Sequence, residues 1–259
     1  MIPKFIHYIW IGGNPLPELA TKCIASWNKK CPDYEMVLWN EENLNIEECL
    51  FTKQAYEMKK YGFVTDYFRL KVIYEHGGIY LDTDVEVLKS FDELLNFKAF
   101  FGFENVENVN TGGGFGAEKG CKVLKALMTA YENIPFVKED GTFDMTPCPQ
   151  RDTIVLRKFG LKLGNVLQEI DGMKFFPSEY FSPINIKTGN LLITDKTFSV
   201  HHYMGSWQDE NQKRNKKNRY LLIKIFGEKI GKKINNFFLA LKEKSVSEFF
   251  SYIFSKVSK

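Results

Sequence analysis

The stretch Gly77-Gly78-Ile79-Tyr80-Leu81-Asp82-Thr83-Asp84 constrains this chain more than any other. A strong helical pattern over 63–76 precedes it: Phe63, Tyr67, Leu70 and Tyr74 recur at spacings of four, three and four and make one apolar face. The glycine pair ends that helix, a short apolar run follows, and two carboxylates close the segment. A buried strand over 79–81 leaves Asp82 and Asp84 at its C-terminal end, where open α/β sheets gather ligand sites. Alternation along an extended chain points residues 82 and 84 one way and Thr83 the other. Two hard oxygen donors facing one point suit Mg²⁺ or Mn²⁺ and, through the ion, phosphate oxygens. By itself an Asp-x-Asp is a weak signal, most often a pair of solvated turn residues, so its surroundings decide.

Upstream, residues 3–11 alternate as a strand and end at Gly12-Gly13-Asn14-Pro15, a turn. Residues 17–30 predict a helix, 35–39 a short strand, and 45–61 a helix stopped by Gly62. Strand, helix, strand, helix is the α/β order. No GxGxxG or Walker pattern follows the first strand, so neither a dinucleotide fingerprint nor a P-loop is supported. On the 63–76 helix, Asp66, Arg69, Ile73 and His76 form a second stripe. Asp66 and Arg69 are surface neighbours there. They make either a local ion pair or a carboxylate and a guanidinium facing the acidic pair beyond the next strand.

Downstream, residues 85–88 continue extended, 91–96 form a short helix or turn, and 99–103 read as a strand. Asn110-Thr111-Gly112-Gly113-Gly114-Phe115-Gly116 reads as a loop whose glycines let backbone approach a ligand closely. Residues 121–133 and 151–159 predict helices, the second ended by Gly160, with a loop over 138–149 between them. The aromatic and proline-rich 175–183 predicts irregular structure. A last strand over 197–203 carries His201 and His202. A strand shows one of them to each face, so at most one is a ligand.

The 259 residues have room for one large domain or two small ones, and 44% hydrophobic with 26% charged residues fit a globular protein. The net charge of +3 is unevenly spread. From Asp209 onward there are 13 Lys and Arg against 5 Asp and Glu, whereas the first 208 residues carry 22 against 27. Within the basic part, Ile223, Phe226, Ile230, Ile234, Phe237 and Leu241 recur at helical spacing among lysines, with Gly227 and Gly231 as weak points and a second apolar patch around 249–254. This predicts a basic amphipathic helical tail, packed on the body or lying on an anionic bilayer. Its large aliphatic residues argue against nucleic acid. Five scattered cysteines with no CxxC pair, no signal-peptide pattern and no membrane-spanning run lead us to expect a cytoplasmic protein, peripheral on the cytosolic membrane face.

Several segments together resemble one family. Ile6-His7-Tyr8-Ile9-Trp10-Ile11-Gly12-Gly13, Thr65-Asp66-Tyr67-Phe68-Arg69, the Gly77–Asp84 stretch, Asn110-Thr111-Gly112 and His202-Tyr203-Met204-Gly205-Ser206-Trp207 come in the order of the DXD-containing sugar transferases of glycosyltransferase family 32. That family includes an initiating mannosyltransferase and capsular or lipopolysaccharide sugar transferases. More distantly the chain is similar to the glucosyltransferase domain of clostridial toxins. The resemblance spans residues 2 to 207 and leaves the basic tail outside.

It implies an α/β fold of the GT-A type over 1–208 with the tail over 209–259, a nucleotide-sugar donor, and Mn²⁺ (or Mg²⁺). It also implies a retaining transfer of a hexose, from a UDP-sugar by preference or from GDP-mannose, to a glycan or lipid-linked glycan in surface polysaccharide synthesis. Trp10 would stack on the donor base. Asp66, Arg69 and Asp82 would be the catalytic set: Asp66 and Arg69 would hold the donor sugar and its phosphate side, and Asp82 would contact the ribose, the sugar or, through water, the metal, while Asn110 would sit near the transferred sugar. Asp84 would hold the metal with His202, His201 being the alternative and the toxin relatives supplying a Ser instead. Ser206 and Trp207 would close over the diphosphate.

Two other classes compete. A metal-dependent phosphohydrolase needs more clustered carboxylate and His ligands than this chain shows. A non-catalytic sugar- or lipid-binding protein has no use for Trp10, Asp66, Arg69, Asp82 and Asp84 all together.

Overall fold

Alternation along short apolar strands sorts the core of this protein into two halves. In the computed structural model, which describes residues 1–205 and 210–243, Ile79, Phe100 and Phe176 join one buried cluster. Their strand neighbours Tyr80, Phe101 and Phe175 join the other. The sheet between the clusters has seven strands in the order β2-β1-β3-β6-β5-β8-β7. In chain order these are β1 (Phe5–Ile9), β2 (Glu35–Trp39), β3 (Gly78–Tyr80), β5 (Ala99–Gly102), β6 (Phe115–Ala117), β7 (Gln168–Ile170) and β8 (Met173–Phe176). β1 runs parallel to β2 and β3, and β6 runs antiparallel to both β3 and β5. A separate antiparallel ribbon pairs β4 (Val85–Val87) with β9 (Ser199–His201).

The helices are α1 (Glu18–Lys30), α2 (Leu50–Glu57), α3 (Tyr61–His76), α4 (Lys122–Glu132), α5 (Cys148–Lys158) and α6 (Glu210–Glu243). Residues of α2, α3, α4 and α5 fill one cluster, whereas Trp27 of α1 and Val85 and Val87 of β4 fill the other. α3 is buried on most of its sides, and Asp66 and Arg69 are buried with its apolar residues. It ends at Gly77 and Gly78, whose φ angles of 71° and 108° turn the chain straight into β3.

Several sequence expectations are corrected. The helix expected over 45–61 is only Leu50–Glu57. It closes with Lys59 at φ 54°, while Lys60 N donates to Ala55 O and Lys59 N to Tyr56 O. Gly62 then lies in the first turn of α3, where amides lack helical partners in any case. The glycine-rich segment expected as a loop contains β6. Its Gly116 sits so close to Phe100 that a Cβ would lie 2.5 Å from that ring. β8 lies partly in the stretch expected to be irregular, β7 comes from a stretch with no expected strand, and α5 starts three residues before the expected position.

The chain divides into two compact units: Met1–Ile184 with Leu191–Trp207, and Asn185–Asn190 with Gln208–Lys259. The second unit therefore takes a short segment from before residue 208. Arg219 Nη2 and Tyr220 OH both donate to Ile186 O, at 3.1 and 3.0 Å. α6 is interrupted at Gly227, which leaves the helical region at φ 76°, ψ 165°. Gly231 stays helical and lies against the backbone of Leu222 and Ile223. Of the expected apolar stripe, Ile223 is buried while Phe226, Ile230 and Phe237 are exposed. The Leu241 side chain and the 249–254 patch lie outside the described residues. Among the described residues no helix is long and apolar enough to cross a membrane.

Candidate functional site

β3 ends at Tyr80, and Leu81 N makes one further bond to His7 O before the chain leaves the sheet. Asp82 O then accepts from Val85 N at 3.0 Å, so residues 82–85 form a turn. The expectation that strand alternation aligns Asp82 with Asp84 is thus corrected: a turn brings them together. One ligand atom from each of Asp82, Asp84 and His201 lies within 4.8 Å of the others.

The three groups are held differently. Asp82 Oδ1 accepts from Tyr80 OH at 2.9 Å and from Arg69 Nη2 at 3.2 Å, and Asp82 N donates to Gly112 O at 3.1 Å. Asp84 is buried, with Oδ2 accepting from Met204 N at 2.6 Å and Oδ1 3.3 Å from His201 Nε2. Burial raises its pKa, but the His201 imidazole and the Met204 amide outweigh burial and bring the carboxyl down to about 2. For His201 burial lowers the pKa, and the Asp84 carboxylate, aided by Asp82 and Glu104, overcomes it and raises the imidazole. The imidazole and the carboxylate each favour the charged form of the other, and both present atoms that can ligate a divalent cation.

His201 arrives through the ribbon, whose register sets Val85 opposite His201. The next residue points elsewhere: His202 Nε2 lies 3.0 Å from Glu86 Oε2. The expectation of His202 beside Asp84 is corrected, and His201 takes that place. Asn110 Nδ2 lies 3.5 Å from His201 Nδ1, and the Tyr203 ring stacks on the imidazole with centroids 4.1 Å apart.

Asp66 and Arg69 do face the acidic pair. Arg69 Nη2 lies 3.1 Å from Asp66 Oδ1, and the guanidinium stands over the Tyr80 ring at 5.2 Å. Burial pushes the Asp66 carboxyl up, with Arg69 opposing and Asp82 assisting. Arg69 Nε is buried without a hydrogen-bond partner.

The loop after β5 closes the site from the other side. Asn110 is spent on its shape: Oδ1 accepts from Gly112 N and Gly113 N at 2.7 and 3.3 Å, and Nδ2 donates to Glu104 Oε1 at 2.8 Å. A Cβ on Gly112 would stand 2.3 Å from Asp82 Oδ2 and 2.8 Å from Arg69 Nη1. Only a glycine lets this backbone pass so near the two groups.

Trp10 follows β1, at the same C-terminal end of these parallel strands where β3 delivers Asp82. It is half-buried, and its Nε1 donates to Asn14 O. Ser206 and Trp207 lie outside the described residues. Sequence reasoning missed Tyr80 and Glu104 as partners of the site. Tyr80 had a signal, since it stands two residues before Asp82 on one side of an extended chain. Glu104 had none.

The donor set fits a hard or borderline divalent cation. Two carboxylates and one imidazole are the chemistry Mn²⁺ takes, and Mg²⁺ accepts the oxygens.

Residues 17–101 match the family model described as a glycosyltransferase sugar-binding region containing a DXD motif. That span runs from α1 to β5 and includes Asp66, Arg69, Asp82 and Asp84. Inositol phosphoceramide mannosyltransferase 3 of Schizosaccharomyces pombe is 34% identical over 105 residues, which are 38% of this chain and 29% of that protein. Subversion of eukaryotic traffic protein A of Legionella pneumophila is 25% identical over 187 residues, 59% of this chain and 28% of that protein. The chain thus spans less than a third of the length of these curated relatives. Among solved structures, PaToxG glycosyltransferase superposes with a TM-score of 0.50 at 19% identity, covering 61% of this chain and 68% of the other. That likeness is one of fold: a mixed sheet flanked by helices, as the GT-A type has.

Proposed function

We propose that this protein, whose residues 17–101 match the DXD-containing glycosyltransferase sugar-binding family model, is a metal-dependent glycosyltransferase. It moves a hexose from a nucleotide sugar to a glycan or lipid-linked glycan acceptor, as in surface polysaccharide synthesis. The reading rests on one observation: Asp82, Asp84 and His201 converge within 4.8 Å beside the buried Arg69.

Breaking a sugar–phosphate bond releases a nucleoside diphosphate and leaves an oxocarbenium-like sugar. A Mn²⁺ or Mg²⁺ ion, when bound, supplies positive charge against that leaving group. Asp84 and His201 would hold the ion directly, with Asp82 Oδ2 the third donor within reach. Arg69 adds a fixed positive charge beside the same carboxylates. Asp66 and Asp82 bind and orient the donor sugar, and Trp10 offers its ring to the base. Asn110, placed near the transferred sugar by resemblance, holds the glycine backbone close to Asp82 and Arg69. The transfer is retaining by resemblance. A UDP-sugar is the favoured donor. GDP-mannose is the second reading of the donor, favoured by the mannosyltransferase name of the Schizosaccharomyces pombe relative. The basic residues and exposed apolar side chains of α6 support work at an anionic membrane surface on the cytosolic side.

Thermal unfolding with UDP-, GDP- and CMP-sugars in the presence of Mn²⁺ tests the reading. A donor at 100 times its Kd adds about 2.7 kcal/mol of stability. The shift is expected with one base class and lost with EDTA or in Asp84→Asn. No shift with any donor, or an undiminished one in EDTA, overturns it.

A further inference from the structure

Helix α5 meets the site at three places. Arg69 Nη1 lies 3.4 Å from Cys148 Sγ, Thr111 Oγ1 donates to Asp152 Oδ2 at 2.8 Å, and Val109 N donates to Thr153 Oγ1 at 2.9 Å. Positions 148 and 152 are one helical turn apart and share a face of α5, and Thr153 projects beside them from the first two turns. None of these residues belongs to the acidic pair or to its histidine.

Asp152 stands out among them. It is fully buried, and so is Thr111. Its other oxygen, Oδ1, accepts from Tyr131 OH at 3.3 Å. Both of these partners are neutral hydroxyls, and an apolar side chain here would avoid the cost of burying a carboxyl. Burial drives this group up to about 7, with Thr111 and Tyr131 opposing.

The hydrogen bonds lead onward from Thr111. The next residue, Gly112, accepts the Asp82 N–H on its carbonyl at 3.1 Å. Its Cα faces Asp82 Oδ2 with no room for a Cβ. An unbroken path therefore runs from Asp152 through the Thr111 hydroxyl and the Gly112 carbonyl to the backbone of Asp82.

We propose that Asp152 is a positioning residue: through Thr111 it fixes the Gly112 backbone that sets the Asp82 carboxylate for cation binding. The inference rests on the reading of Asp82, Asp84 and His201 as a cation site. Outer hydrogen-bond partners of this kind change metal affinity by about 10- to 100-fold when removed.

The test compares three substitutions in the full chain. Thr111→Val keeps shape and removes the donor, Thr111→Ser restores it, and Tyr131→Phe removes the carboxyl's other hydrogen bond, which leads to α4 and not to the loop. Titration with Mn²⁺ alone is read by calorimetry, and amide hydrogen exchange at Asp82 is read in the metal-free protein. Thr111→Val is expected to weaken Mn²⁺ binding about tenfold and to speed exchange at Asp82. Thr111→Ser and Tyr131→Phe are expected to bind Mn²⁺ as the unmodified protein does, although Tyr131→Phe loses comparable thermal stability. Unchanged Mn²⁺ affinity and exchange in Thr111→Val, or an equal loss of affinity in Tyr131→Phe, overturns the positioning role. If the unmodified protein binds no Mn²⁺, the cation reading fails, and exchange at Asp82 in Thr111→Val still decides whether Thr111 holds the turn.

Discussion

Adding one methyl group at Gly112 probes the narrowest point of the site. In Gly112→Ala the new Cβ would stand 2.3 Å from Asp82 Oδ2, 2.8 Å from Arg69 Nη1 and 3.1 Å from Asn110 Oδ1. Ordinary contact needs roughly 1 Å more from the carboxylate oxygen. Gly112 has no left-handed φ, so the penalty is steric and not conformational. The neighbours have little room to yield. Asp82 is tied to Gly112 through its own amide and to Tyr80 and Arg69 through its carboxylate. Overpacking costs about 1–3 kcal/mol, and breaking the Asp82–Gly112 bond adds about 1 kcal/mol. A total of about 2–4 kcal/mol corresponds to a fall in Tm of about 5–15 °C. The displaced Asp82 should also weaken Mn²⁺ binding by about 10- to 100-fold, read by titration calorimetry. Gly120→Ala is the control. Gly120 has φ 74° and open space around it, so alanine there costs about 1–2 kcal/mol of backbone strain and leaves Mn²⁺ affinity alone. Gly112→Ala with Mn²⁺ affinity within about twofold of the unmodified protein would refute the close-approach reasoning.

Three further outcomes are expected. His201→Ala should lose about tenfold or more in Mn²⁺ affinity by calorimetry, while His202→Ala, which loses only the Glu86 contact, should not; the reverse result would restore the sequence expectation. Burial raises the Asp152 carboxyl from its ordinary 3.8 to about 7, so the folded state holds a proton that the unfolded state releases between those values. Its contribution to stability therefore falls as pH rises through that window and is flat above it. Asp152→Asn should remove that fall, gaining on the unmodified protein by a few kcal/mol between about pH 4 and pH 8 in denaturant titrations; an unchanged difference would count against a buried, titrating Asp152. Reversing the charge of the exposed Lys224, Lys229 and Lys233 on α6 should abolish cosedimentation with phosphatidylglycerol vesicles, and retained binding would remove the membrane role.

How much of this was legible depends on whether the cause is local. α1, β1 and β2 follow from periodicity within a few residues of their boundaries. β6 does not, because Phe115-Gly116-Ala117 looks like turn sequence. Its glycine makes space for the Phe100 ring from the neighbouring strand, which a single segment cannot reveal. The end of α2 was obscured because Lys59, and not a glycine, takes the left-handed position. Asp82 and Asp84 were visible because they are neighbours in the chain. The choice between His201 and His202 was not, because it depends on the register of two distant strands. Asp152 sits in no motif. Its partners come from α4 and from the loop after β5, so only tertiary structure gives it a role.

The ribbon that brings His201 to Asp84 has a consequence for synthesis. Asp84 and its Met204 partner are 120 positions apart. At about 5–20 residues per second, the acidic turn leaves the ribosome roughly 6–24 s before the strand that completes it. Through that interval the nascent chain has both aspartates and Arg69 but not His201. The Asp82, Asp84 and His201 cluster is thereby completed only with the arrival of β9, after all seven strands of the main sheet have been made.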